Sequence, residues 1–288
     1  MKNILKRVVA LIMLFLLMNI CSCNNNQTDT SDDKPPKNEP IIPATIDILK
    51  IGKADCIVIN TGSHLVMIDT GEEENLNTIH AYMSRNNYEA IDTLILTHYD
   101  KDHIGGASDV ISSFNVSTVI ETQNKNTTID YITYHNTVAE KQATLLKLTD
   151  TYKFTYDSCE FEINIPKQSK YSENNDNNLS LIISMKCGEN KFLFCGDAME
   201  ERISEFINQN KTTYDFVKLP HHGTYLQNYK EFLDSVKPQT VAITDSKKNT
   251  ASADTLALLY ERDITPYETR YGEINISTDG KSIIITQK

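Results

Sequence analysis

The stretch that decides the fold and the chemistry of this chain is Thr97-His98-Tyr99-Asp100-Lys101-Asp102-His103-Ile104-Gly105-Gly106. It directly follows the apolar run 93–96, whose length is that of a short buried strand. Two imidazoles and two carboxylates fall within six residues, and a glycine-bounded loop after a strand end can aim them into one cleft. These donors suit Zn²⁺, Mn²⁺ or iron better than Ca²⁺, which prefers oxygen cages. The stretch therefore predicts a metal site, with a solvated polar loop as the alternative.

Two later windows carry further candidate ligands after apolar strands. They are Phe192-Leu193-Phe194-Cys195-Gly196-Asp197 and Val217-Lys218-Leu219-Pro220-His221-His222-Gly223-Thr224. Taken singly, Gly-Asp is also a plain turn, and a pair of histidines also occurs in ordinary loops. Four of the seven histidines lie in the first and third windows, whereas His64, His80 and His135 lie in turn or helix contexts typical of surface residues.

Strand-like and helix-like stretches alternate along the chain without an internal repeat. This pattern predicts a layered α/β domain with mixed sheets. Strands are predicted at 46–48, 56–59, 65–68, 93–96, 116–120, 152–156, 159–165, 179–185, 191–195, 216–219 and 240–244, with a final hairpin of 273–277 and 282–286. Helices are predicted at 75–85, 198–208, 228–236 and 253–261.

The order of the motifs resembles the metallo-β-lactamase superfamily, and most closely the ComEC-type competence hydrolase domain and its stand-alone secreted relatives. The motifs are Asp69-Thr70-Gly71, His98-x-Asp100-x-Asp102-His103, Gly196-Asp197 and His221-His222-Gly223. The ComEC-type proteins share the Asp in place of a second His, the Asp-His-x-Gly-Gly ending and the Lys-x-Pro-His-His-Gly stretch. The resemblance extends from Ile46-Asp47-Ile48, through Gly52-Lys53-Ala54-Asp55, to the final hairpin.

The resemblance implies an αββα sandwich of two mixed β-sheets with outer helices and two divalent ions, Zn or Mn, at one edge. His98 and Asp100 would hold the first ion, Asp102 and His103 the second, and Asp197 would bridge both. Asp69 would sit behind the site and organise the ligand loop by hydrogen bonds. His222, directly before Gly223, is the favoured histidine ligand of the third window. His221 and Lys218 would then lie behind the ligands or face the substrate.

Two departures from the family pattern qualify these expectations. The separate His expected between the first two windows is missing, and Asn177-Asn178-Leu179-Ser180-Leu181 stands at the matching place. The first ion therefore keeps an oxygen-rich donor set, which should bind more weakly and tolerate Mn²⁺. The Gly-His-Pro element usual in ComEC relatives is also absent, and residues 247–252 stand there instead. That change puts an inherited nuclease role in doubt.

The ligand set implies a metal-dependent hydrolase in which a hydroxide bridging two cations, with its pKa lowered to near neutrality, is the nucleophile. Asp102, Lys218 and His221 are the candidate catalytic residues, and Lys218 or His221 would stabilise an oxyanion or protonate a leaving group. The leading prediction is a phosphodiesterase or nuclease-like enzyme. The alternatives are hydrolysis of another bond (lactone, thioester or β-lactam) and a non-catalytic surface binding lipoprotein.

No cysteine or serine nucleophile is required by this chemistry. Cys56, Cys187 and Cys195 lie in strand patterns and are predicted to be small buried hydrophobes. Six cysteines in 288 residues do not indicate a disulfide framework. No disulfide is expected between Cys187 and Cys195.

The composition is that of a globular protein, with 40% hydrophobic residues, 23% charged residues and a net charge of −11. It excludes a disordered or fibrous chain, and the length suffices for one large domain or two small ones. The acidic excess disfavours a surface that grips a long polyanion through counterion release.

The N-terminus has the features of an export signal. Three basic residues precede the apolar run 8–18, which is shorter than the roughly 20 residues of a membrane span and typical of a signal peptide. Shortly after the run comes Ile20-Cys21-Ser22-Cys23, which resembles a bacterial lipobox with Cys23 as the lipidated residue. Cys21 is a second candidate acceptor, although the preceding Ile20 is large. An ordinary secretory signal and an uncleaved anchor are the alternatives.

These features divide the chain into a signal peptide (1–22), a flexible tether (23–43) and a hydrolase domain (44–288). The tether is predicted because its residues are polar, with almost nothing apolar to bury. Removal of residues 1–22 leaves 25 basic groups against 39 acidic ones, a net charge of −14. The predicted location is extracytoplasmic, through a lipid anchor in a bacterial membrane, with secretion as the alternative. A small or single-stranded phosphodiester is the expected substrate, and no protein partner can be inferred.

Overall fold

The computed structural model describes residues 41–173 and 175–288. The predicted signal peptide, Cys23 and the tether up to residue 40 lie outside the described residues. Within the described part, none of the helices is both long and apolar enough to cross a membrane.

The described residues form strands that alternate with helices. The strands are β1 (Ala44–Ile48), β2 (Ile57–Asn60), β3 (Leu65–Ile68), β4 (Ala90–Ile95), β5 (Asn115–Thr122), β6 (Thr144–Leu148), β7 (Tyr152–Tyr156), β8 (Cys159–Asn164), β9 (Ile182–Cys187), β10 (Asn190–Phe194), β11 (Phe216–Lys218), β12 (Thr240–Ile243), β13 (Thr265–Glu268), β14 (Ile274–Thr278) and β15 (Ile283–Gln287). The α-helices are α1 (Leu76–Arg85), α2 (Lys101–Ile104), α3 (Ala107–Ser113), α4 (Ile129–Lys141), α5 (Asn175–Asn178), α6 (Glu200–Gln209), α7 (Tyr229–Val236) and α8 (Ala253–Tyr260). Two 3₁₀ turns lie at Glu73–Asn75 and Pro220–Gly223.

The strands build two mixed sheets. The first has the order β15-β14-β1-β2-β3-β4-β5-β6, and the second has the order β13-β12-β11-β10-β9-β8-β7. In each sheet, antiparallel hairpins form one part, and parallel strands connected by helices form the other. The β14–β15 hairpin returns to the first sheet beside β1.

Three apolar layers hold this arrangement together. The central layer lies between the sheets and joins isoleucine and valine side chains of the first sheet to phenylalanine, isoleucine and methionine side chains of the second. The second layer packs α1, α3 and α4 on the outer face of the first sheet. The third packs α6, α7 and α8 on the outer face of the second sheet. This is the αββα sandwich with outer helices that the motif resemblance predicted, and the prediction is confirmed.

The topology brings the polar windows to one edge of the sandwich. Strands β10, β11 and β12 are parallel neighbours, so their carboxyl ends lie side by side. The carboxyl end of strand β4 lies in the same region. The backbone N–H of Leu181, just before β9, donates to the carbonyl of Thr97, just after β4, at 2.9 Å. Ligands commonly collect where the carboxyl ends of parallel strands meet.

The cysteine pattern requires a correction. Cys187 was predicted to be a small buried hydrophobe, but it forms a disulfide with Cys159. The two residues are register partners on the antiparallel strands β8 and β9, with their Cα atoms 4.3 Å apart. The local sequence pattern does not contain the pairing of β8 with β9, which places Cys159 rather than Cys195 beside Cys187. Cys56 and Cys195 remain buried thiols, as predicted.

Candidate metal centre

Four predicted ligand side chains converge at the edge of the sandwich. They are Asp102, His103, Asp197 and His222, and one ligand atom from each lies within 4.8 Å of the others. His103 Nε2 is 3.2 Å from Asp197 Oδ1, and His222 Nε2 is 3.2 Å from Asp197 Oδ2. Asp102 Oδ2 completes the group at 3.3 Å from His222 Nε2. The first and third windows therefore meet around the carboxylate of the second.

The distances between these atoms fit a bound cation, and so does their lack of hydrogen-bond partners. Two donors that are each about 2.0–2.1 Å from a tetrahedral zinc ion lie about 3.3 Å from each other. Among the described residues, the Nε2 atoms of His98, His103 and His222 and Oδ1 of Asp197 are buried without a hydrogen-bond partner. Buried polar atoms are normally paired, so these neighbouring unpartnered atoms fit a ligand that would complete them. A divalent metal with nitrogen and oxygen donors meets this requirement.

Each histidine is held so that Nε2 is the atom left for a metal. Asp69 Oδ2 accepts from His103 Nδ1 at 2.7 Å, and the carbonyl of Thr244 accepts from His222 Nδ1 at 2.9 Å. The Thr97 hydroxyl donates to Asp69 and so accepts from His98 Nδ1 at 3.1 Å. Such partners behind a ligating imidazole fix its tautomer and its ring orientation.

Asp69 also anchors the ligand loop. Its carboxylate accepts from the backbone N–H and the hydroxyl of Thr97 at 2.8 and 2.7 Å. The following Thr70 donates its backbone N–H to the His103 carbonyl at 2.8 Å. Gly106 permits this close approach, because a Cβ there would lie 2.5 Å from the carbonyl oxygen of Thr70.

The carboxylates and imidazoles shift one another's pKa values. Burial lowers the pKa of His103, but the carboxylates of Asp197 and Asp69 raise it well above its usual value. Burial raises the pKa of Asp197, but His222 and His103 bring it well below its usual value. The pKa of His222 also lies above its usual value, since Asp197 and Asp102 outweigh its burial. The carboxylates of the cluster therefore favour a positive charge at this place.

The candidate ligands of the first ion form a more open group. His98 is buried, and its ring centroid lies 4.1 Å from that of His103. Asp100 Oδ2 is 3.6 Å from His98 Nε2, but the Asp100 side chain is 41% exposed. The structure thus brings all six predicted metal ligands to one edge, with Asp102, His103, Asp197 and His222 as the tighter group.

Residues 177–181, which stand where the family pattern has a histidine, hold the Asp197 segment through hydrogen bonds. Ser180 Oγ accepts from the backbone N–H of Asp197 at 3.1 Å. Asn178 Oδ1 accepts from the backbone N–H groups of Met199 and Arg202, both at 3.1 Å, and so caps the start of α6. These two side chains hold the segment that follows Asp197.

His221 and His222 occupy a strained turn. Their φ angles are 44° and 53°, and that of Gly223 is 74°, so three consecutive residues are left-handed. This conformation costs roughly 1–2 kcal/mol for each non-glycine residue, and such strain collects at functional sites. The turn buries His222 in the cluster and leaves the His221 side chain 20% exposed, with Nε2 3.8 Å from Asp197 Oδ2.

Lys218 lies behind the ligands. It is fully buried and ion-paired with Asp55, and its Nζ is 4.0 Å from Asp197 Oδ1. Of the two roles left open for Lys218, this position favours holding the ligands over facing the substrate. Asp55 was not predicted as a site residue. Its sequence signals were its place in the Gly52-Lys53-Ala54-Asp55 stretch of the motif resemblance and its position directly before the apolar run 56–59.

The buried thiols offer no nucleophile near the cluster. Burial raises the pKa of the Cys195 thiol to about 12 and also raises that of Cys56. Only a thiolate is a strong nucleophile, so both cysteines are inert near neutral pH.

Comparisons with known proteins agree with the geometry. The family model of the metallo-beta-lactamase superfamily matches residues 50–243. ComE operon protein 3 of Bacillus subtilis is 23% identical over 231 residues, which cover 71% of this chain and 28% of that protein. Recombination protein 2 of Haemophilus influenzae is 24% identical over 209 residues, which cover 71% of this chain and 24% of that protein. The chain thus spans about a quarter of the length of these two relatives.

A solved structure supports the fold. The metallo-beta-lactamase fold protein YhfI of Bacillus subtilis superposes with a TM-score of 0.52 at 9% identity, covering 79% of this chain and 97% of that one. At this identity the likeness concerns the fold alone. The family match covers more than half of the chain, and the ligand cluster lies within it. On these grounds the chain belongs to the metallo-beta-lactamase superfamily.

Proposed function

We propose that this protein is a metal-dependent hydrolase that cleaves small or single-stranded phosphodiesters with two divalent ions, Zn²⁺ or Mn²⁺. The observation that carries the proposal is the set of buried, unpartnered ligand atoms on His98, His103, His222 and Asp197 in the described chain. A purely structural cluster has no need to leave four such atoms unsatisfied, because each costs about 1–3 kcal/mol when buried unpaired.

The chain's own residues would divide the work. Asp102, His103, Asp197 and His222 would hold one ion, and His98 and Asp100 would hold the other together with Asp197. When bound, the ions supply Lewis acidity and a water of lowered pKa. His221 is the partly exposed imidazole beside Asp197, so it is the proposed group for contacting the leaving group. Asp69, Thr97 and Thr244 orient the imidazoles.

The choice of phosphodiester bonds depends on the motif resemblance to the ComEC-type domain. The His-x-Asp-x-Asp-His stretch and the His-His-Gly stretch both follow that pattern. Because the chain matches about a quarter of its relatives, their activities come to it only as a proposal.

A substrate panel tests the proposed activity. The chain is stripped with a chelator, reloaded with Zn²⁺ or Mn²⁺, and assayed with an aryl phosphodiester, single-stranded DNA, a lactone, a thioester and a β-lactam. We expect phosphodiester cleavage that chelation abolishes and metal restores. Asp197→Asn should be inactive, whereas Asp109→Asn, which changes a partly exposed surface carboxylate paired with His80, should retain activity. A metal-loaded wild type that cleaves none of the phosphodiesters would overturn the proposal.

We further propose that the protein is exported and anchored through a lipid on Cys23. The lipobox-like Ile20-Cys21-Ser22-Cys23 supports this, and so does the disulfide between Cys159 and Cys187, since such bonds persist mainly in oxidising compartments. Mass spectrometry of the mature N-terminus tests it, with diacylglycerol on Cys23 as the expected result. An exported chain with an unmodified N-terminus would favour secretion instead.

A further inference from the structure

A buried ion pair joins the two sheets directly behind the ligand cluster. Asp55 lies between β1 and β2 of the first sheet, and Lys218 is the last residue of β11 in the second. Their side chains are 2% and 1% exposed, and Lys218 Nζ donates to Asp55 Oδ2. A pair so deeply buried stabilises a fold little compared with apolar residues, although removal of one partner is costly. The role of the ion pair is therefore better inferred from its position behind the ligands than from its contribution to stability.

The pair reaches the metal ligand His222 through one intermediate side chain. The Thr244 hydroxyl donates to Asp55 Oδ1 at 2.6 Å. The same hydroxyl lies 2.9 Å from His222 Nδ1, and the Thr244 carbonyl accepts from that nitrogen at 2.9 Å. Asp55 therefore holds the Thr244 side chain, and Thr244 in turn orients the His222 imidazole.

The pair also controls which anion the ammonium group contacts. Lys218 Nζ is held by Asp55 and lies 4.0 Å from Asp197 Oδ1, beyond hydrogen-bond distance. Without Asp55, the nearest carboxylate for this buried ammonium would be Asp197, whose Oδ1 is one of the unpartnered ligand atoms among the described residues. An ammonium bound there would compete with a cation. Asp55 thus keeps Lys218 away from a ligand.

A third contact ties Asp55 to the ligand loop itself. The backbone N–H of Asp55 donates to the Asp102 carbonyl at 3.1 Å, and Asp55 Oδ2 lies 3.9 Å from His103 Nδ1. One residue in the connection between β1 and β2 is therefore linked to ligands supplied by both halves of the sandwich.

We propose that Asp55 is a positioning residue that, with Lys218 and Thr244, sets the metal affinity of the group Asp102, His103, Asp197 and His222. This inference rests on the proposed function only in requiring that the cluster binds a metal. Residues that orient metal ligands from behind typically change metal affinity roughly 10- to 100-fold when they are replaced.

The test measures Zn²⁺ affinity of the full chain by competition with a chromophoric chelator, and metal content after dialysis. We expect Asp55→Asn to weaken Zn²⁺ binding roughly 10- to 100-fold. Combining it with Lys218→Met should recover part of the loss, because the double variant has no stranded ammonium beside Asp197. A merely structural role for Asp55 would show this recovery in the thermal unfolding of the metal-free chains but not in Zn²⁺ affinity.

Thr244 supplies a matched pair of uncharged variants in case the Asp55 variants do not fold. Thr244→Val removes the hydroxyl at nearly constant shape and should weaken Zn²⁺ binding, whereas Thr244→Ser keeps the hydroxyl and should bind more like the wild type. Circular dichroism and thermal unfolding in excess chelator compare the fold of each metal-free variant with that of the wild type.

The outcomes separate this inference from the proposed function. Folded Asp55→Asn and Thr244→Val chains with wild-type Zn²⁺ affinity would overturn the positioning role while leaving the metal centre intact. A Thr244→Ser chain that loses as much affinity as Thr244→Val would also overturn it. A wild-type chain that binds no divalent ion would overturn both proposals.

Discussion

Asp197 lies between two of the candidate histidine ligands. Its two carboxylate oxygens face different imidazoles, Oδ1 toward His103 and Oδ2 toward His222, each at 3.2 Å. Asp100, in contrast, contributes one oxygen to the more open group and is 41% exposed. The two aspartates should therefore differ sharply when they are replaced.

We predict that Asp197→Ala loses more bound metal than Asp100→Ala and has no detectable turnover. The reason is that, in the proposed centre, Asp197→Ala would remove a donor from both ions, whereas Asp100→Ala would affect only the first. Elemental analysis of the dialysed proteins gives the metal content, and an aryl phosphodiester gives the turnover. Equal metal content in the wild type and Asp197→Ala would refute the ligand assignment.

A second prediction concerns pH. Burial lowers the pKa values of His103 and His222, but neighbouring carboxylates raise them above the usual value of about 6.5. The metal-free cluster therefore carries protons that a metal must displace. Zn²⁺ affinity should therefore rise with pH across the neutral range, and binding should release protons. Calorimetry in two buffers of different ionisation enthalpy measures the release. A binding enthalpy independent of the buffer would contradict this prediction.

Single residues were predictable where a motif repeats the same chemistry. His98, Asp102, His103 and Asp197 follow strand ends in a recognisable order, and the structure brings them together. Asp55 and Thr244 were not predicted as site residues, since Asp55 entered only as part of the extent of the motif resemblance and Thr244 is a single polar residue at the end of a predicted strand. The role proposed for them depends on contacts across sequence separations of 163 and 189 residues, which local patterns do not contain.

At the scale of elements, strands were easier to predict than helices. The helix α4 was missed because its isoleucines 129 and 132 are exposed, while tyrosines and a threonine fill most of its buried side. Strand β13 was missed because it is a short edge strand that contains Pro266, which cannot donate to a neighbouring strand. In both elements, contacts with the rest of the fold determine the secondary structure more than the local sequence pattern does.

The cross-strand disulfide provides a prediction at this scale. Cys159 and Cys187 close a loop with a sequence separation of 28 residues, so loss of the bond should destabilise the fold by about 2–4 kcal/mol. We expect reductant to lower the melting temperature of the wild type to that of the Cys159→Ala/Cys187→Ala double variant. The double variant itself should not respond to reductant.

The control for the disulfide is Cys56→Ala, which removes a buried thiol without changing the bond. It should keep the response to reductant. Peptide mapping under non-reducing conditions identifies the crosslink directly. A wild-type chain whose Cys159 and Cys187 peptides are recovered separately would contradict the pairing.

At the scale of the whole molecule, the described domain has two different ends. The first described residues and several hairpin turns lie at one end. There the backbone N–H of Ile42 donates to Ser158 Oγ at 2.9 Å, and the turn at 188–189 contacts the turn at 279–282. The ligand cluster lies at the other ends of the same strands, after Phe194 of β10 and Lys218 of β11.

Charge sets the last prediction, which concerns the length and strandedness of the substrate. The chain without residues 1–22 has a net charge of −14, and residues 247–252 lack the histidine element of the ComEC relatives. Both features disfavour tight binding of duplex DNA, whose affinity for proteins depends on many basic contacts and falls steeply with salt. Two divalent ions would nevertheless bring four positive charges to the cleft, enough to hold a single phosphate there.

We therefore predict metal-dependent cleavage of an aryl phosphodiester and of single-stranded DNA, with weak and strongly salt-sensitive binding to duplex DNA. Turnover of the three substrates is compared at low and physiological salt, with and without chelator, and duplex affinity is measured by fluorescence anisotropy. Tight, salt-insensitive duplex binding would contradict the charge argument. Efficient cleavage of a lactone or β-lactam with no cleavage of any phosphodiester would instead show that the site acts on carbonyl centres, because a divalent ion held there would polarise a carbonyl oxygen as well as a phosphoryl oxygen.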